Sequence, residues 1–534
     1  YITMKFNKIF IILSSVFVFS CTNGFEDLNK DPLAVNEVSP DLRLPYMQYK
    51  GFQMGTGDYQ MSSLLYSSLY CQYYANTSGS FKSDNYVYTD KWAERGYWTA
   101  YYQGLLKNLR ETEKSLSTHP EYDDMYQIMR IATALGTIRL TDTFGDIPYF
   151  EAGKGETQTP YNSQKDIYYD IFKELTEAVN LLKQKRKEQL KYEEEDMMYQ
   201  GDVDKWIKLA NSLRLRAAIR ISFIDPQKAQ SEGEAALKEA LFTSNADNAG
   251  LTTGVFEDCK GHPVIGACFH NEFRASETAI DILTNTSSIT DPRLSLMFSQ
   301  TEAWVSGDSE IQYKGLPNGV SAADLTSQYN DYRNNSLVWG YMWGYTWNNA
   351  AKGSKVDAPS GYILRPLIMM NYAEVCFLKA EAALRGWSGA GNAQENYEAG
   401  IRASFEEMRS AAPKDSYTSE NDNTYITTGK VKWNDSEDFE TKLEKIITQK
   451  WIGIYPNSNE AWAEFRRTGY PVLKPIKQCL EASINVANGE FIKKLRYVDN
   501  ELINNSQNAN NPSLNGGKGD GVSVRVWWDT SRYK

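Results

Sequence analysis

Histidine, cysteine and positive charge are all scarce in this sequence. Its 534 residues include three histidines, too few for a histidine-rich metal site, and six cysteines, too few for a disulfide scaffold. The 57 Lys and Arg residues face 68 Asp and Glu, and the net charge of −11 argues against binding to nucleic acid or to an anionic membrane surface. Beyond the N-terminus, no apolar run is long enough to span a bilayer as a helix.

Motifs that would carry catalysis are missing as well. The sequence has no nucleophile elbow, phosphate-binding loop, HExxH helix or calcium-binding loop. A pair of facing carboxylates, which a glycoside hydrolase needs, is not recognisable from sequence alone. We predict a protein that is not an enzyme and that carries no cofactor, and the missing motifs agree with this prediction.

Four side chains that could bind a metal fall within twelve residues, at Cys259, His262, Cys268 and His270. Their spacing leaves three interpretations open, namely a zinc site, a disulfide between Cys259 and Cys268, or side chains without a link. We predict no metal here. The cysteines expected to be small core residues are Cys71, Cys376 and Cys479.

Aromatic residues, in contrast, make up 13% of the chain, with 35 Tyr and 13 Trp. In the stretch 329–349 five rings alternate with other residues, which predicts an extended segment with all five rings on one side. That face either packs on the body of the protein or forms a platform for a ligand, with Arg333 beside it. The candidate ligand-binding rings here are Trp339, Tyr341, Trp343, Tyr345 and Trp347.

A second aromatic stretch covers residues 70–92. Its centre is rich in Ser, Gly and Asn, which predicts a loop, and tyrosines flank the loop on both sides. The two interpretations are again loop packing and ligand binding. The candidate residues are Tyr73, Tyr74, Tyr86 and Tyr88.

The N-terminus has the pattern of an export signal. Lys5 and Lys8 precede an apolar run at residues 9–19, which is too short to cross a bilayer and fits a secretory signal. Ser20 and Cys21 follow, as in a bacterial lipobox. We therefore predict a signal peptide at residues 1–20 and a lipid on Cys21, with ordinary signal cleavage as the alternative.

Apolar residues recur at helical spacing through most of the chain. The pattern predicts helices at residues 92–116, 122–141, 166–183, 203–222, 366–385 and 393–409. Recurring helix pairs indicate a mainly α fold of tetratricopeptide-like repeats, in which each pair covers the apolar face of its neighbour. The period mostly lapses over residues 245–361, apart from a candidate helix at 274–283. This predicts a loop-rich insertion that carries binding specificity.

The stretch 445–471, KIITQKWIGIYPNSNEAWAEFRRTGYP, predicts two helices joined by a tight turn. Gly453 is expected in the left-handed conformation that ends the first helix, and Pro456 prevents its continuation. Asn457 is expected to cap the second helix, with Glu460 reaching back to the cap.

The second helix of this hairpin has an apolar face formed by Ala461, Trp462 and Phe465. Arg466 and Arg467 fall in its last turn, where positive charge suits the helix dipole. The hairpin is therefore expected to bury aromatic rings and to leave its arginines at the helix end.

The hairpin resembles a signature of the SusD/RagB-like nutrient-binding lipoproteins, in the SusD-like branch that carries a PN..EAW.E.RRTGYP segment. Further segments resemble that family in the same order: YWTAYYQGLLKNL, IRLTDTFGDIPYF, DIYYDIFKELTEAVNLL, GDVDKWIKLANSLRLRAAIRI and NYAEVCFLKAEAAL. The resemblance implies a single SusD-like domain over residues 21–534. Its helical scaffold would span about 40–244 and 362–500, and its loop-rich ligand-binding part about 245–361.

The resemblance also implies a function. A SusD-like protein is a lipid-anchored outer-membrane protein that faces the cell exterior, binds an oligosaccharide or oligopeptide, and acts as a lid on a SusC-like TonB-dependent transporter. The acids after Cys21 resemble the surface-export signal of Bacteroidetes lipoproteins. Two alternatives remain, a secreted α-helical glycoside hydrolase or lyase, and a structural transporter subunit with little ligand affinity of its own.

Overall fold

The computed structural model describes residues 38–185, 192–254, 261–269, 271–329, 332–343, 352–353, 364–412 and 417–533. Long helices fill the first part of the chain. In α2 and α3 the central turns are π-helical, and the helix is continuous on both sides. The helices are α1 Pro40–Gly51, α2 Thr56–Tyr59 with Gln60–Ser67 and Ser68–Tyr70, α3 Asp90–Ala93 with Glu94–Leu106 and Lys107–Ser115, α4 Asp123–Phe144, α5 Gln164–Lys185, α6 Val203–Arg220 and α7 Pro226–Leu237.

Short elements separated by loops follow. The helices of this part are α8 Ile265–Phe269, α9 Glu277–Asn285, α10 Leu294–Met297, α11 Glu302–Ser306, α12 Ala322–Ser327 and α13 Gly340–Trp343. The insertion predicted at 245–361 is thus described in part, and over the described residues it is a succession of short helices and loops.

Longer helices return in the last part. They are α14 Tyr372–Leu384, α15 Ala393–Ser410, α16 Asp422–Thr427, α17 Phe439–Gly453, α18 Ser458–Thr468, α19 Asp499–Asn504, α20 Ser506–Ala509 and α21 Leu514–Gly517. Helices that follow one another in the chain pack together, α4 on α5, α6 on α7 and α14 on α15, and α14 also packs on α17. The predicted mainly α fold with tetratricopeptide-like pairs is confirmed.

Strands are few and short. They are β1 Tyr74–Asn76, β2 Ile147–Pro148, β3 Tyr161–Asn162, β4 Ala249–Leu251, β5 Phe273–Ala275 and β6 Leu367–Met370. They form three antiparallel pairs, β1 with β5, β2 with β3, and β4 with β6. Two predicted helices therefore begin later than expected, because 273–275 and 367–370 are extended and each pairs with a distant strand.

The hairpin at 445–471 has its two helices, α17 and α18, as predicted. Trp451 and Trp462 are both 1% exposed, and the indole of Trp451 donates to the carbonyl of Cys71 at 3.0 Å. The left-handed residue is Gly469, with a φ of 82°, whereas α17 runs through Gly453 to a cap at Ile454 with a φ of −101°. The expected left-handed Gly453 is wrong.

The expected capping box is also wrong. The side chain of Asn457 makes no cap bond and instead donates to the carbonyl of Met369 at 3.1 Å. Glu460 is 6% exposed, and it accepts from the Lys450 ammonium at 2.8 Å. Both side chains are therefore bonded to groups outside α18.

The charged residues of α18 belong to a buried ion-pair network that joins five helices. Arg467 lies 2.6 Å from Glu381 and 2.7 Å from Glu464, and it is completely buried. Neighbouring links in the network include Arg216 with Glu374 at 2.7 Å and Lys450 with Glu374 at 3.3 Å. The network comprises Asp142, Arg216, Arg220, Glu374, Glu381, Lys450, Glu460, Glu464 and Arg467.

Electrostatics within the network outweigh desolvation. Burial by itself would raise the pKa values of Glu460 and Glu464, but the surrounding Arg and Lys side chains hold both below the usual range. Burial would likewise lower the pKa of Lys450, and the three carboxylates around it raise that pKa instead. All three groups are therefore charged in the folded protein, and their charges hold α6, α14, α17 and α18 together.

Candidate ligand-binding surface

Three of the four candidate tyrosines in the first aromatic stretch lie in the core. Tyr73 and Tyr74 have no exposed surface, and Tyr86 is 2% exposed. The Tyr73 hydroxyl donates to the carbonyl of Trp451 at 2.5 Å, and the Tyr74 hydroxyl shares a hydrogen bond with that of Tyr455 at 2.8 Å. These rings present no face to a ligand in this structure, and their hydroxyls are used to fasten the α2 end to the hairpin.

Tyr88 is half-buried, and its ring is covered by the Arg496 guanidinium, whose carbon lies 4.8 Å from the ring centre. Burial raises the pKa of its hydroxyl. Closer to the loop, Phe81 and Trp92 meet edge to face, with 5.6 Å between ring centres, and both are half-buried. This pair keeps part of its aromatic surface open to solvent.

In the second aromatic stretch, the predicted extended segment is wrong at residues 340–343, which form the helical turn α13. A Cβ at Gly340 would lie 2.6 Å from the Phe298 nitrogen, so the turn sits directly on the backbone of residues 297–298. Only glycine, which has no Cβ, can pack this closely against another backbone. Gly340 therefore allows a helical turn where the alternation of aromatic residues predicted a strand.

Coiling separates the candidate rings. Tyr341 is 1% exposed, lies under the Arg365 guanidinium at 4.3 Å, and meets Tyr455 edge to face. Trp339 is half-buried, with part of its ring exposed. The side chains of Trp343, Tyr345 and Trp347 lie outside the described residues, so ligand contact by them stays a prediction.

Arg333 lies at the surface, as a ligand-binding role requires. Its guanidinium donates to the Ser306 hydroxyl at 2.6 Å and to the Asp308 carboxylate at 2.7 Å, and its side chain is 45% exposed. Ser306 is the last residue of α11, and Asp308 lies just after it. The Thr301 hydroxyl caps the start of α11 by accepting a hydrogen bond from the Trp304 nitrogen. Trp304, also half-buried, is a ring that the sequence analysis did not single out, because it stands alone in a short helix.

We give the name insertion surface to a set of part-exposed residues from the insertion and from the first aromatic loop. The backbones of these two segments are tied to each other. β1 and β5 pair Tyr74 with Ala275. The amide of Asn318 donates to the Tyr74 carbonyl and to Asp84, both at 2.8 Å. Burial raises the pKa of Asp84 to about 6, against the hydrogen bond from Asn318. The insertion surface comprises Phe81, Trp92, Trp304, Tyr329, Arg333 and Trp339.

Replacing Asn318 with alanine is expected to cost about 1–3 kcal/mol of stability, since it leaves a buried carbonyl and a buried carboxylate short of a donor. Urea denaturation of the two proteins measures the difference. The exposed Asn434 supplies a control, for which Asn434→Ala should change stability by less than about 0.5 kcal/mol. Equal effects at both positions would contradict a tying role for Asn318.

A cleft of about 840 Å³ lies elsewhere, beside α9 and α17. Its aromatic lining is mostly covered, because Trp433 is 6% exposed and Tyr397 is completely buried with its hydroxyl on the Val431 carbonyl at 2.8 Å. Lysines and carboxylates on its rim, Lys432 and Glu444 among them, point to a solvated depression. It offers less open ring surface than the insertion surface.

Of the four side chains considered as a zinc site or a disulfide, the structure describes that of His262. His262 is 1% exposed, accepts from the Val264 nitrogen at 3.1 Å, and touches Tyr59 and Tyr341 edge to face. Among the residues that the structure describes, no three His, Cys, Asp or Glu are grouped to hold a metal. Cys259, His270 and the side chain of Cys268 lie outside them. Cys71 and Cys376 are buried as predicted, and Cys479 is half-buried.

A profile of the SusD-like family, described as Susd and RagB outer membrane lipoprotein, matches residues 26–529. The chain belongs to the SusD-like family. Within its described parts, no helix is both long and apolar enough to cross a membrane. Cys21, where a lipid is predicted, lies outside those parts.

Solved structures agree with the family. This SusD-like protein is similar to a chitin-binding SusD homologue from Flavobacterium johnsoniae, at 28% identity and a TM-score of 0.74, over 91% of this chain and 97% of that chain. It is similar to a SusD homologue from Bacteroides uniformis, at 28% identity and a TM-score of 0.74, over 92% of this chain and 99% of that chain. It is also similar to a SusD homologue from Bacteroides vulgatus, at 26% identity and a TM-score of 0.76, over 92% of this chain and 98% of that chain. No curated protein sequence matches the chain.

Proposed function

We propose that this SusD-like protein binds an oligosaccharide nutrient at the insertion surface and passes it to a SusC-like TonB-dependent transporter, on which it acts as a lid. The observation that carries the proposal is the family match over residues 26–529, together with half-buried rings in the insertion and in the first aromatic loop. A solved relative described as chitin-binding favours a glycan over a peptide. Residues 245–361 would be the ligand-binding part, and the helical parts the scaffold.

Binding requires no bond to be broken. The faces of half-exposed rings such as Trp339 and Trp304 suit the apolar faces of sugar rings. The Arg333 guanidinium, with Asp308 beside it, offers donors and acceptors to sugar hydroxyls. Because a transporter must then take the ligand, moderate affinity suits the role. We therefore propose that the protein is not an enzyme, and incubation with a glycan panel that released shorter sugars would overturn this.

Trp339→Ala and Arg333→Ala are each expected to weaken binding of an oligosaccharide by about tenfold, since each removes a stacking or hydrogen-bonding contact. Isothermal titration with chito-, cello-, malto- and manno-oligosaccharides measures the change. Lys432→Ala, on the rim of the α17 cleft, is the matched surface control and should leave affinity unchanged. If Lys432→Ala weakens binding and the other two do not, the cleft is the ligand site instead.

The anchor and the partner are tested in the native membrane. A Cys21→Ser variant should fail to incorporate lipid and should leave the membrane fraction, whereas the unaltered protein should co-purify with a large β-barrel from detergent-solubilised outer membranes. A protein that stays at the membrane without Cys21, or that never brings down a barrel, would contradict the corresponding part of the proposal. A protein that binds the barrel but no sugar or peptide would be a structural subunit.

A further inference from the structure

A groove of about 680 Å³ runs between α3, α4 and α5 on the helical side of the protein. Its size falls within the range of about 300–1,000 Å³ typical of small-molecule sites. The loop after β2, residues 149–154, closes one end. None of the residues of the insertion surface lines this groove, so a ligand here would be independent of the nutrient site proposed above.

Three rings that are open to solvent line the groove. Tyr126 and Tyr149 are half-buried, and Phe150 is 36% exposed. Tyr149 and Phe150 meet edge to face with 5.0 Å between ring centres, and the carboxamide oxygen of Asn162 accepts from both of their backbone nitrogens, at 3.1 and 3.0 Å. The exposed ring is thus held by a fixed backbone. A fixed, open aromatic face is what a sugar ring stacks on.

Polar groups surround the rings in set positions. Arg130 donates to Glu174 at 2.7 Å and to Glu177 at 2.8 Å. Asp170 accepts from the Tyr149 hydroxyl at 2.9 Å, and burial raises its pKa against that hydrogen bond. Carboxylate oxygens and guanidinium donors side by side match the mixed donor and acceptor character of sugar hydroxyls.

The groove carries more negative than positive charge. Each cation on its wall already has a carboxylate partner, as in Arg110 with Glu113 at 3.4 Å and Lys154 with Glu151 at 3.2 Å. The surplus is therefore negative, and it disfavours anionic ligands. The charged residues of the wall are the carboxylates Glu113, Glu151, Asp170, Glu174 and Glu177 and the cations Arg110, Arg130 and Lys154.

Two buried polar atoms on this wall lack a hydrogen-bond partner among the residues that the structure describes, Nε of Arg110 and Oγ1 of Thr133. Thr133, on α4, is 5% exposed, and its hydroxyl makes no hydrogen bond to any group in the described part of the chain. It lines the groove between Arg130 and Thr137. Buried hydroxyls are normally satisfied, and a hydroxyl of a bound ligand would satisfy this one.

We propose that this groove is a second carbohydrate-binding site, and that it takes an oligosaccharide without acidic groups. Phe150 and Tyr126 provide the stacking faces, Asp170 and the Arg130 pair bind hydroxyls, and the surplus charge excludes uronic or sulfated sugars. An amphipathic helix from a partner fits less well, because charged pairs occupy the floor where such a helix would need apolar contact.

Titration of the full chain tests the proposal, with chitotetraose, cellotetraose, maltotetraose, mannotetraose and the acidic tetragalacturonate as probes. At least one neutral sugar should bind at two sites. Phe150→Ala and the isosteric Thr133→Val should each weaken one of them by about tenfold and spare the other, which Trp339→Ala should weaken. Tetragalacturonate should not bind at the groove. The exposed position of Phe150 keeps the fold of its variant intact, which circular dichroism checks.

Crystals soaked with the same sugars give the second readout, and density against Phe150 is expected. If Phe150→Ala and Thr133→Val leave every titration unchanged and the soaked groove holds no sugar, the proposal is overturned. If tetralysine binds there and the neutral sugars do not, the groove is a site for basic peptides and the proposal is again overturned. If Trp339→Ala weakens neither site while the groove variants weaken theirs, only the proposal for the insertion surface fails. The two proposals therefore fail separately.

Discussion

Replacing Arg220 with methionine is expected to lower the free energy of unfolding by about 3–5 kcal/mol. Arg220 has no exposed side-chain surface and lies 2.5 Å from Glu460, 3.3 Å from Asp142 and in contact with Glu464. Methionine keeps the apolar stem of the side chain and removes the charged guanidinium, so it leaves three buried carboxylates short of a cation. Urea or thermal denaturation of the variant beside the unaltered protein measures the loss.

A surface ion pair provides the matched control. Arg532 lies 2.5 Å from Glu440, and the two side chains are 24% and 47% exposed. Arg532→Met should cost less than about 1 kcal/mol, since water screens the pair and solvates the remaining carboxylate. Adding Asp142→Asn to the Arg220→Met protein should recover part of the loss, because Arg220 is the only cation in an ion pair with Asp142 in the described part of the chain. Equal losses for the buried and the exposed arginine would contradict a stabilising role of the network.

The same network marks the limit of what the sequence could predict about the hairpin at 445–471. Helical periodicity and the turn residues were enough to place α17 and α18 and to bury Trp451 and Trp462. The local rules for charge failed for Glu460, which they put at a cap. They put Arg467 in the last turn of α18, where it lies, but they did not predict its burial. The real partners of both residues come from α6 and α14, far away in the chain, and no local pattern contains that information.

For the proposed ligand-binding surface, aromatic content in the sequence did not distinguish the rings that are buried from those that keep exposed surface. Nothing in the sequence distinguishes Tyr73 and Tyr341 from Trp339 as candidate rings. Tertiary contacts bury the two tyrosines, whereas Trp339 is half-buried and keeps part of its ring exposed. Alternation predicted a strand where Gly340 allows a tight helical turn against residues 297–298. Exposure of a ring is set by what packs over it, and that depends on distant segments. The groove beside Phe150 had no sequence signal for the same reason.

Acidification is expected to destabilise the protein through His262. Burial, with the nearby Arg365 guanidinium adding to it, lowers the pKa of this imidazole from 6.5 to about 3. The unfolded chain therefore binds a proton at this residue before the folded chain does. The contribution of neutral His262 to stability is complete above pH 6.5, and it is lost as the pH falls from there towards 3. The loss approaches about 1.4 kcal/mol for each pH unit well below pH 6.5. It amounts to about 2 kcal/mol between pH 6.5 and 4.5, because half of the unfolded chains already carry this proton at pH 6.5.

A comparison of two variants isolates this histidine from the carboxylates, which also titrate in acid. His262→Phe keeps an aromatic ring between Tyr59 and Tyr341 and gives up the hydrogen bond from Val264. It should lower stability by a constant amount well above pH 6.5 and should lose about 2 kcal/mol less than the unaltered protein on going from pH 6.5 to 4.5. His119→Phe, at an exposed histidine with 46% of its side chain accessible, is the matched surface control. Parallel pH curves for His262→Phe and the unaltered protein would mean that His262 takes up its proton within the fold, and that the apolar contacts around its ring do not keep it neutral.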